Sequence, residues 1–299
     1  MKTLLMMTIP AALLASLVPA AAQVDLNGAR ESLRAAEHAA SVAAETRGLA
    51  GGLMPHLADS AHVLIPGAVL VRGRDAAAAA LRTSPFAETR LKLEPVRVDV
   101  SADGRSGYTY GGATRFAADS ASPARYIAYW TREGADWKIA AFHFNLSPEP
   151  VTPPPAGFFP APAATGISHV EADVAAALRQ IMQADRDFAA LATAQNPGVA
   201  FATFAAPDGA LLGGEYGPEA IRAAFAGGGG TLEWGPVAGA MAATGDLGYT
   251  VGTAVRRGAD GRVGYTKYLT VWRRQPNGEW RWVVDGGNPR PADPSPGGA

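Results

Sequence analysis

The sequence predicts an α+β protein built as two tandem domains, each with N-terminal helices followed by an antiparallel sheet. Three observations carry this. An internal repeat spans most of the chain, the hydrophobic period passes from helical to alternating once within each copy, and a Pro-rich stretch separates the copies. Gly107-Tyr108-Thr109 recurs as Gly248-Tyr249-Thr250, and Pro95-Val96 as Pro236-Val237, both 141 residues on. Tyr126, Trp130 and Arg132 recur as Tyr268, Trp272 and Arg274 at 142, and Trp137-Lys138 as Trp280-Arg281 at 143. One-residue changes in hairpin loops produce such a drift, and a period this long is a whole domain rather than a solenoid repeat.

The chain opens with Lys2, an apolar run from Leu4 to Val18, and Pro19 leading into Ala20-Ala21-Ala22. This is the pattern of a secretory signal peptide, residues 1–22, cut before Gln23. The first domain, 23–147, reads as a helix from about Gly28 to Glu45, a short helix from about Asp75 to Leu81, and strands that end with Trp137 to Asn145. Residues 148–165 are the linker. Seven of the 15 residues from Pro148 to Pro162 are Pro, which predicts an extended, semi-rigid spacer.

In the second domain, 166–288, Ser168 and Glu171 form a capping box ahead of Val174, Leu178, Ile181, Phe188 and Leu191 at helical spacing. Asn196-Pro197-Gly198 breaks that helix before a shorter segment around Phe201 and Phe204, and Pro207-Asp208-Gly209 predicts a turn. A short helix runs from Pro218 to Phe225, closed by the Gly227–Gly230 run. Strands follow at Leu232–Met241, Gly248–Arg257, Tyr265–Arg274 and Trp280–Asp285, with turns at Gly245-Asp246, Asp260-Gly261 and Asn277-Gly278. The Pro- and Gly-rich tail, 289–299, reads as disordered.

Composition narrows the function. Against 26 Lys plus Arg stand 27 Asp plus Glu, so no cationic field favours nucleic acid. Cys is absent, which excludes disulfides, thiolate nucleophiles, iron–sulfur clusters and Cys-based zinc sites. The five His show no metal-ligand spacing with carboxylates, no Ser sits in a nucleophile elbow, and the Gly run follows no strand as a phosphate loop does. No metal and no cofactor are therefore expected. With the leader removed, the expectation is a periplasmic or secreted protein without a membrane anchor.

Helices followed by a meander of long strands, the Gly-plus-acid helix starts Gly73-Arg74-Asp75 and Gly217-Pro218-Glu219, and a closing pattern resemble the SnoaL-like branch of the nuclear transport factor 2-like superfamily. The closing residues are Tyr126-Ile127-Ala128-Tyr129-Trp130-Thr131-Arg132 with Trp137-Lys138, and Tyr268-Leu269-Thr270-Val271-Trp272-Arg273-Arg274 with Gly278-Glu279-Trp280. The chain is most similar to exported bacterial members of unassigned function. The resemblance implies two cone-shaped domains, each a curved sheet wrapped around helices with an internal pocket. It does not imply a chemistry, because the fold hosts enzymes, binders and interaction modules alike.

Asp185 falls on the apolar stripe of its helix with Leu178, Ile181 and Phe188, and Glu37 is its counterpart on the weaker stripe of the first helix. A carboxyl aimed into a dry pocket has a raised pKa and serves as general base or proton donor. The plainer reading is an acid at the stripe's edge, paired with Arg or solvated. Tyr108 and Tyr249 begin equivalent strands and are candidate hydrogen-bond donors to a carbonyl or enolate, with simple packing as the alternative. Arg115 with Arg256, and Arg125 with Lys267, recur in matching positions and suit a carboxylate ligand, or else face solvent. Trp130 and Trp272 read as core or interface anchors that also offer ligand contacts. His143, in the last strand of the first copy, is the one His placed for a pocket mouth, as in members of the family; its counterpart is Gly286.

Three functions fit: a module that binds a small, largely apolar organic molecule in one or both cones, an isomerase- or cyclase-like enzyme with a carboxylate base and Tyr donor, and an interaction module with filled cones. The first is preferred, and the balance is against an enzyme. Because superfamily members commonly dimerise through their sheet faces, the two domains are expected to pair as an internal pseudo-dimer.

Overall fold

The computed structural model describes residues 23–117, 120–163, 165–167 and 173–293. The expected signal peptide, the Ser168–Glu171 capping box and the last six residues lie outside the described residues. A short strand β1 (Gln23–Asp25) leads into α1 (Leu26–Leu53), whose first turn is capped by the Asp25 side chain accepting from the Gly28 amide at 3.0 Å. α1 is longer than the periodicity suggested and bends at Gly48, which has φ 75° and packs so closely on Ala87 and Glu88 that a Cβ would lie 2.8 Å from the Ala87 carbonyl. A 3-10 turn (Met54–His56) then leads to β2 (Leu57–Leu64), β3 (Val71–Arg72), α2 (Arg74–Thr83) and four long strands, β4 (Arg90–Val100), β5 (Ser106–Ala117), β6 (Ser120–Glu133) and β7 (Asp136–Leu146).

After the linker, β8 (Thr165–Ile167) pairs with β1, and the same order of elements begins again: α3 (Val174–Ala194), α4 (Pro197–Phe204), β9 (Ala205–Leu211), α5 (Gly217–Ala224), β10 (Thr231–Met241), β11 (Leu247–Arg257), β12 (Val263–Arg274) and β13 (Trp280–Pro289). α3 is capped by Asp173 on the Ala176 amide at 2.7 Å, and α4 by Asn196 on the Val199 amide at 2.9 Å with Pro197 in its first turn. The strand orders are β3-β2-β7-β6-β5-β4 and β10-β11-β12-β13-β9. All pairings are antiparallel except β2 with β7 and β9 with β13. Pro95 and Pro236 sit at matching bulges in β4 and β10, edge strands in which a missing amide is tolerated.

Several expectations need correction. Pro207-Asp208-Gly209 lies inside strand β9 rather than in a turn, and β2 was not anticipated; both are short strands whose parallel pairing carries no hairpin signal in the sequence. The tail is ordered through Asp293: Pro289 ends β13, and Arg290 donates to the Thr266 carbonyl and lies over the Tyr265 ring. The linker, expected as an extended, semi-rigid spacer, also packs on both halves. Phe158 and Phe159 meet Tyr216, the Tyr216 hydroxyl donates to the Thr152 carbonyl at 2.6 Å, and Arg97 lies 4.3 Å over the Phe159 ring.

Alternation along the strands gives each sheet two apolar faces. One face of the first sheet buries Leu91, Tyr126, Trp130, Phe142 and Phe144 against α1 and α2, and one face of the second buries Trp272 and Trp282 against α3, α4 and α5. The opposite faces meet each other, burying Tyr108, Tyr110, Ile127 and Tyr129 with Tyr249, Val251, Leu269 and Val271. The molecule is thus four layers, helix–sheet–sheet–helix.

One pair of polar contacts across the sheet–sheet contact obeys an approximate two-fold. The Asn288 side chain donates to the Phe144 carbonyl at 2.8 Å, and the equivalent Asn145 donates to the carbonyl of Gly287, the counterpart of Phe144, at 3.2 Å. Arg97 and Arg273 bind both Asp99 and Asp208, with Arg30 adding 3.0 Å to Asp99. Burial raises the Asp99 pKa, but Arg97, Arg30 and Arg273 outweigh it and hold the carboxyl below its usual range. Asn288 is fully buried and also receives Lys267 at 2.6 Å, whereas the Asn145 contact is exposed. Asn288→Ala is expected to destabilise by about 2–4 kcal/mol and Asn145→Ala by under about 1 kcal/mol, as measured by urea unfolding.

Candidate functional site

Inside each half, the helix acid meets a Tyr and a Thr from the sheet. Glu37 on α1 accepts from the Tyr126 hydroxyl, and Asp185 on α3 accepts from the Tyr268 hydroxyl at 3.0 Å. Trp130 donates to Thr109 at 3.1 Å and Trp272 to Thr250 at 2.9 Å, so both copies build the same acid–Tyr–Thr–Trp set. Gly252 makes room for it in the second copy, because a Cβ there would collide with the Tyr268 ring at 2.5 Å. Burial pushes Glu37 up to about 7 and Asp185 up to about 6, opposed by the hydroxyls of Thr109 and Tyr126 and, for Asp185, by Thr250, Tyr268 and Trp234.

The donors are therefore not Tyr108 and Tyr249. Both precede the inward-facing Thr by one residue, and strand alternation turns them to the other face. Tyr249 donates to the Ala140 carbonyl at 3.0 Å and meets His62 Nδ1 at 2.9 Å, between the sheets. Tyr108 stacks on Tyr110 in the same layer. His143 is also placed there, with neither ring nitrogen hydrogen-bonded, and burial with the Lys267 charge drives its pKa down to about 3. It does not reach a pocket mouth. Trp130 and Trp272 are wholly buried and serve the core.

The two cones differ in what fills them. Register equates Phe142 with Asp285 and Phe144 with Gly287, since Tyr126 pairs with Phe144 as Tyr268 pairs with Gly287. In the first half both Phe rings occupy the cone, and Phe86 packs edge-on against Phe144 at 5.2 Å. In the second half the same space is a cavity of about 540 Å³ lined by Phe188, Phe201, Phe225, Leu232, Trp234, Ala254, Tyr268 and Asp285. Such a volume and aromatic lining are typical of small-molecule sites. Asp285 is half-buried on the cavity wall and accepts from Thr270; burial pushes its pKa up to about 7, and the nearby Asp185 adds to the rise.

Among the cations singled out in the sequence, Arg256 and Arg125 line this cavity, the latter reaching it from the first half. Lys267 does not. Its ammonium is buried on the Ile65 carbonyl at 2.7 Å, Asn288 at 2.6 Å and the Pro289 carbonyl at 2.9 Å, which makes it a latch between the halves. Burial lowers its pKa to about 7. Arg115 stands near the end of β5 and is not part of the cavity wall. Asp185 reaches the cavity only through its partners Trp234 and Tyr268. The residues that sequence reasoning missed are Tyr126, Tyr268, Trp234 and Asp285. The described residues contain no group of three or more metal-ligating side chains, and no helix among them is long and apolar enough to cross a membrane.

No family model and no curated protein matches the chain. Solved structures do. A putative calcium/calmodulin-dependent protein kinase type II association domain from Thiobacillus denitrificans is 23% identical over 38% of this chain and 94% of its own, with a TM-score of 0.33. An NTF2-like protein with a cystatin-like fold from Novosphingobium aromaticivorans is 22% identical over 40% of this chain and 83% of its own, with a TM-score of 0.31. An NTF2-like superfamily protein from Salmonella enterica serovar Typhimurium is 16% identical over 42% of this chain and 99% of its own, with a TM-score of 0.32. Each likeness spans about two fifths of the chain, and the α+β class described above is the one expected from the sequence.

The buried acids make stability depend on pH in a stated direction. Between about pH 4 and pH 7 the folded protein keeps protons on Glu37 and Asp185 that the unfolded chain has released, so the contribution of these two acids to stability is fullest below pH 4 and falls as pH rises. Asp99 and His143, whose pKa values are lowered, act in the opposite direction. For Asp185, raised to about 6 from 3.8, the loss is on the order of 3 kcal/mol. Asp185→Asn is expected to flatten the profile by about 1.4 kcal/mol between pH 5 and pH 8, the part of that loss that falls above pH 5, in urea unfolding.

Proposed function

We propose that the protein binds a small, largely apolar organic molecule in the cone of its second half, the first half serving as a filled counterpart in an internal pseudo-dimer. The observation that supports this most directly is the exchange of Phe142 and Phe144 for Asp285 and Gly287, which coincides with the cavity. Two copies of one frame differ where a ligand would sit.

Binding is favoured over catalysis by the shared acid set. Asp185 is not on the cavity wall: its carboxyl oxygens accept from Trp234 at 3.0 Å and Tyr268 at 3.0 Å, and it is those two side chains that line the cavity. Around Glu37 the Tyr126 contact recurs, but Leu93 stands where the second copy has Trp234, the Glu37 Oε2 has no partner among the described residues, and Glu37 lines a separate groove with Arg34 and His38. A structural role in tying helix to sheet accounts for both occurrences. Export to the periplasm or the medium, read from the first 22 residues, is part of the same proposal.

Titration with the neutral fluorophore N-phenyl-1-naphthylamine tests the reading. One saturable site per chain is expected. Gly287→Phe restores the ring that the first half carries, and Ala254→Leu fills the cavity from the facing strand; each is expected to weaken binding about tenfold or more while far-ultraviolet circular dichroism stays unchanged. Equal affinity in folded wild type and both variants would place the probe elsewhere and defeat the proposal.

A further inference from the structure

The approximate two-fold relating the halves places Arg125 and Lys267 in equivalent positions, each beside its cross-strand Asn. Their surroundings differ. Lys267 enters the filled first half, next to Phe144, and its three N–H donors all find oxygen acceptors. Arg125 enters the open second half, next to Gly287, where the missing side chain has removed the wall. Among the described residues Arg125 has no ion-pair or hydrogen-bond partner, and its Nε is shut off from water. A buried guanidinium N–H without an acceptor is costly; the Nε groups of Arg115 and Arg132 share this feature, but of the three only Arg125 lies on the cavity wall.

Arg256, exposed at the end of β11 beside the Gly227–Gly230 turn, lines the same cavity. It too has no ion-pair partner among the described residues. The acids that share the wall are Glu215, whose side chain folds back against Gly213, and Asp285, which already accepts from Thr270. Neither forms a salt bridge with Arg125 or Arg256. The remainder of the wall is aromatic and aliphatic.

We propose that the ligand of the second cone is an amphipathic carboxylate, its apolar body against Phe188, Phe201 and Trp234 and its anionic group held between Arg256 of the second half and Arg125 of the first. The site is therefore composite, incomplete in either half alone. A planar carboxylate suits guanidinium forks, and the low-dielectric wall strengthens the pairing relative to bulk water. This inference rests on the cavity being the binding site, and the test separates the two.

N-phenyl-1-naphthylamine bound to the full chain is displaced with 6-phenylhexanoate and, in parallel, with the uncharged 6-phenylhexan-1-ol. The acid is expected to bind about tenfold or more tightly than the alcohol, and the gap should shrink in 0.5 M NaCl. Arg125→Gln and Arg256→Gln should each reduce the preference several-fold and the double variant should abolish it, the preference being read in each variant as the ratio of acid to alcohol affinity. Equal binding of acid and alcohol by the wild type, or a preference that survives the double variant, overturns the anion proposal while leaving the cavity reading standing. Failure of the neutral probe to bind overturns both. A preference lost with Arg256→Gln but untouched by Arg125→Gln overturns the composite site.

Discussion

The fold depends on one constraint: neither sheet has a face that can be left to water. Alternation along β5 and β11 places Thr109 and Thr250 toward the helices and Tyr108 and Tyr249 away from them, and both sets are buried. The helices cover one face. The other is covered only by the second copy of the module, through apolar side chains on both sheets. Sheet pairing therefore fixes where Asn288, Lys267 and Arg125 point, and so it determines which residues reach across into the other half. The polar contacts give that pairing its register, as Asn145 and Asn288 each find the carbonyl that the approximate two-fold assigns.

Within this frame the copies have kept one feature and divided over another. The acid–Tyr–Thr–Trp set is retained, with Glu37 and Asp185 each hydrogen-bonded by a strand Tyr. A carboxyl buried at that depth destabilises when ionised, so its retention in both halves is explained by the link it makes between helix and central strands. The contents of the cones diverge. Phe142 and Phe144 complete an aromatic core in one, while Asp285 and Gly287 leave the other hollow.

Much of the frame was legible in the sequence because it rests on local rules. Helical spacing located α3, Asn-Gly and Asp-Gly pairs located the hairpins, and the repeat of Tyr-x-x-x-Trp aligned the last two long strands. The helix acids were legible from their place on an apolar stripe. Their partners were not, because periodicity gives two faces to a strand without saying which one meets the helix. The signal was nonetheless present: Tyr126 and Trp130, four residues apart, share a face, and so do Tyr268 and Trp272. Strands β2 and β9 escaped because their pairing is parallel and non-local, and β9 carries Pro207, Asp208 and Gly209, which in isolation are turn residues.

Joining the copies in one chain explains why a single cone can be opened. In a homodimer of identical subunits, any change that hollows one cone hollows both, and each loses the contacts that its aromatic core supplied. Here the first half keeps Phe86, Phe142 and Phe144 packed together. Its sheet presents a firm face against which the hollow half is held by Lys267, Asn288 and the Arg97–Asp208 pair. The second half can then forgo core packing at Gly287 without losing the surface it docks on. Covalent linkage also breaks the equivalence of Arg125 and Lys267, so one position closes a core while the other faces a cavity. The asymmetry that separates a filled cone from a hollow one follows from a few inward positions of the final strand, Phe142 and Phe144 against Asp285 and Gly287.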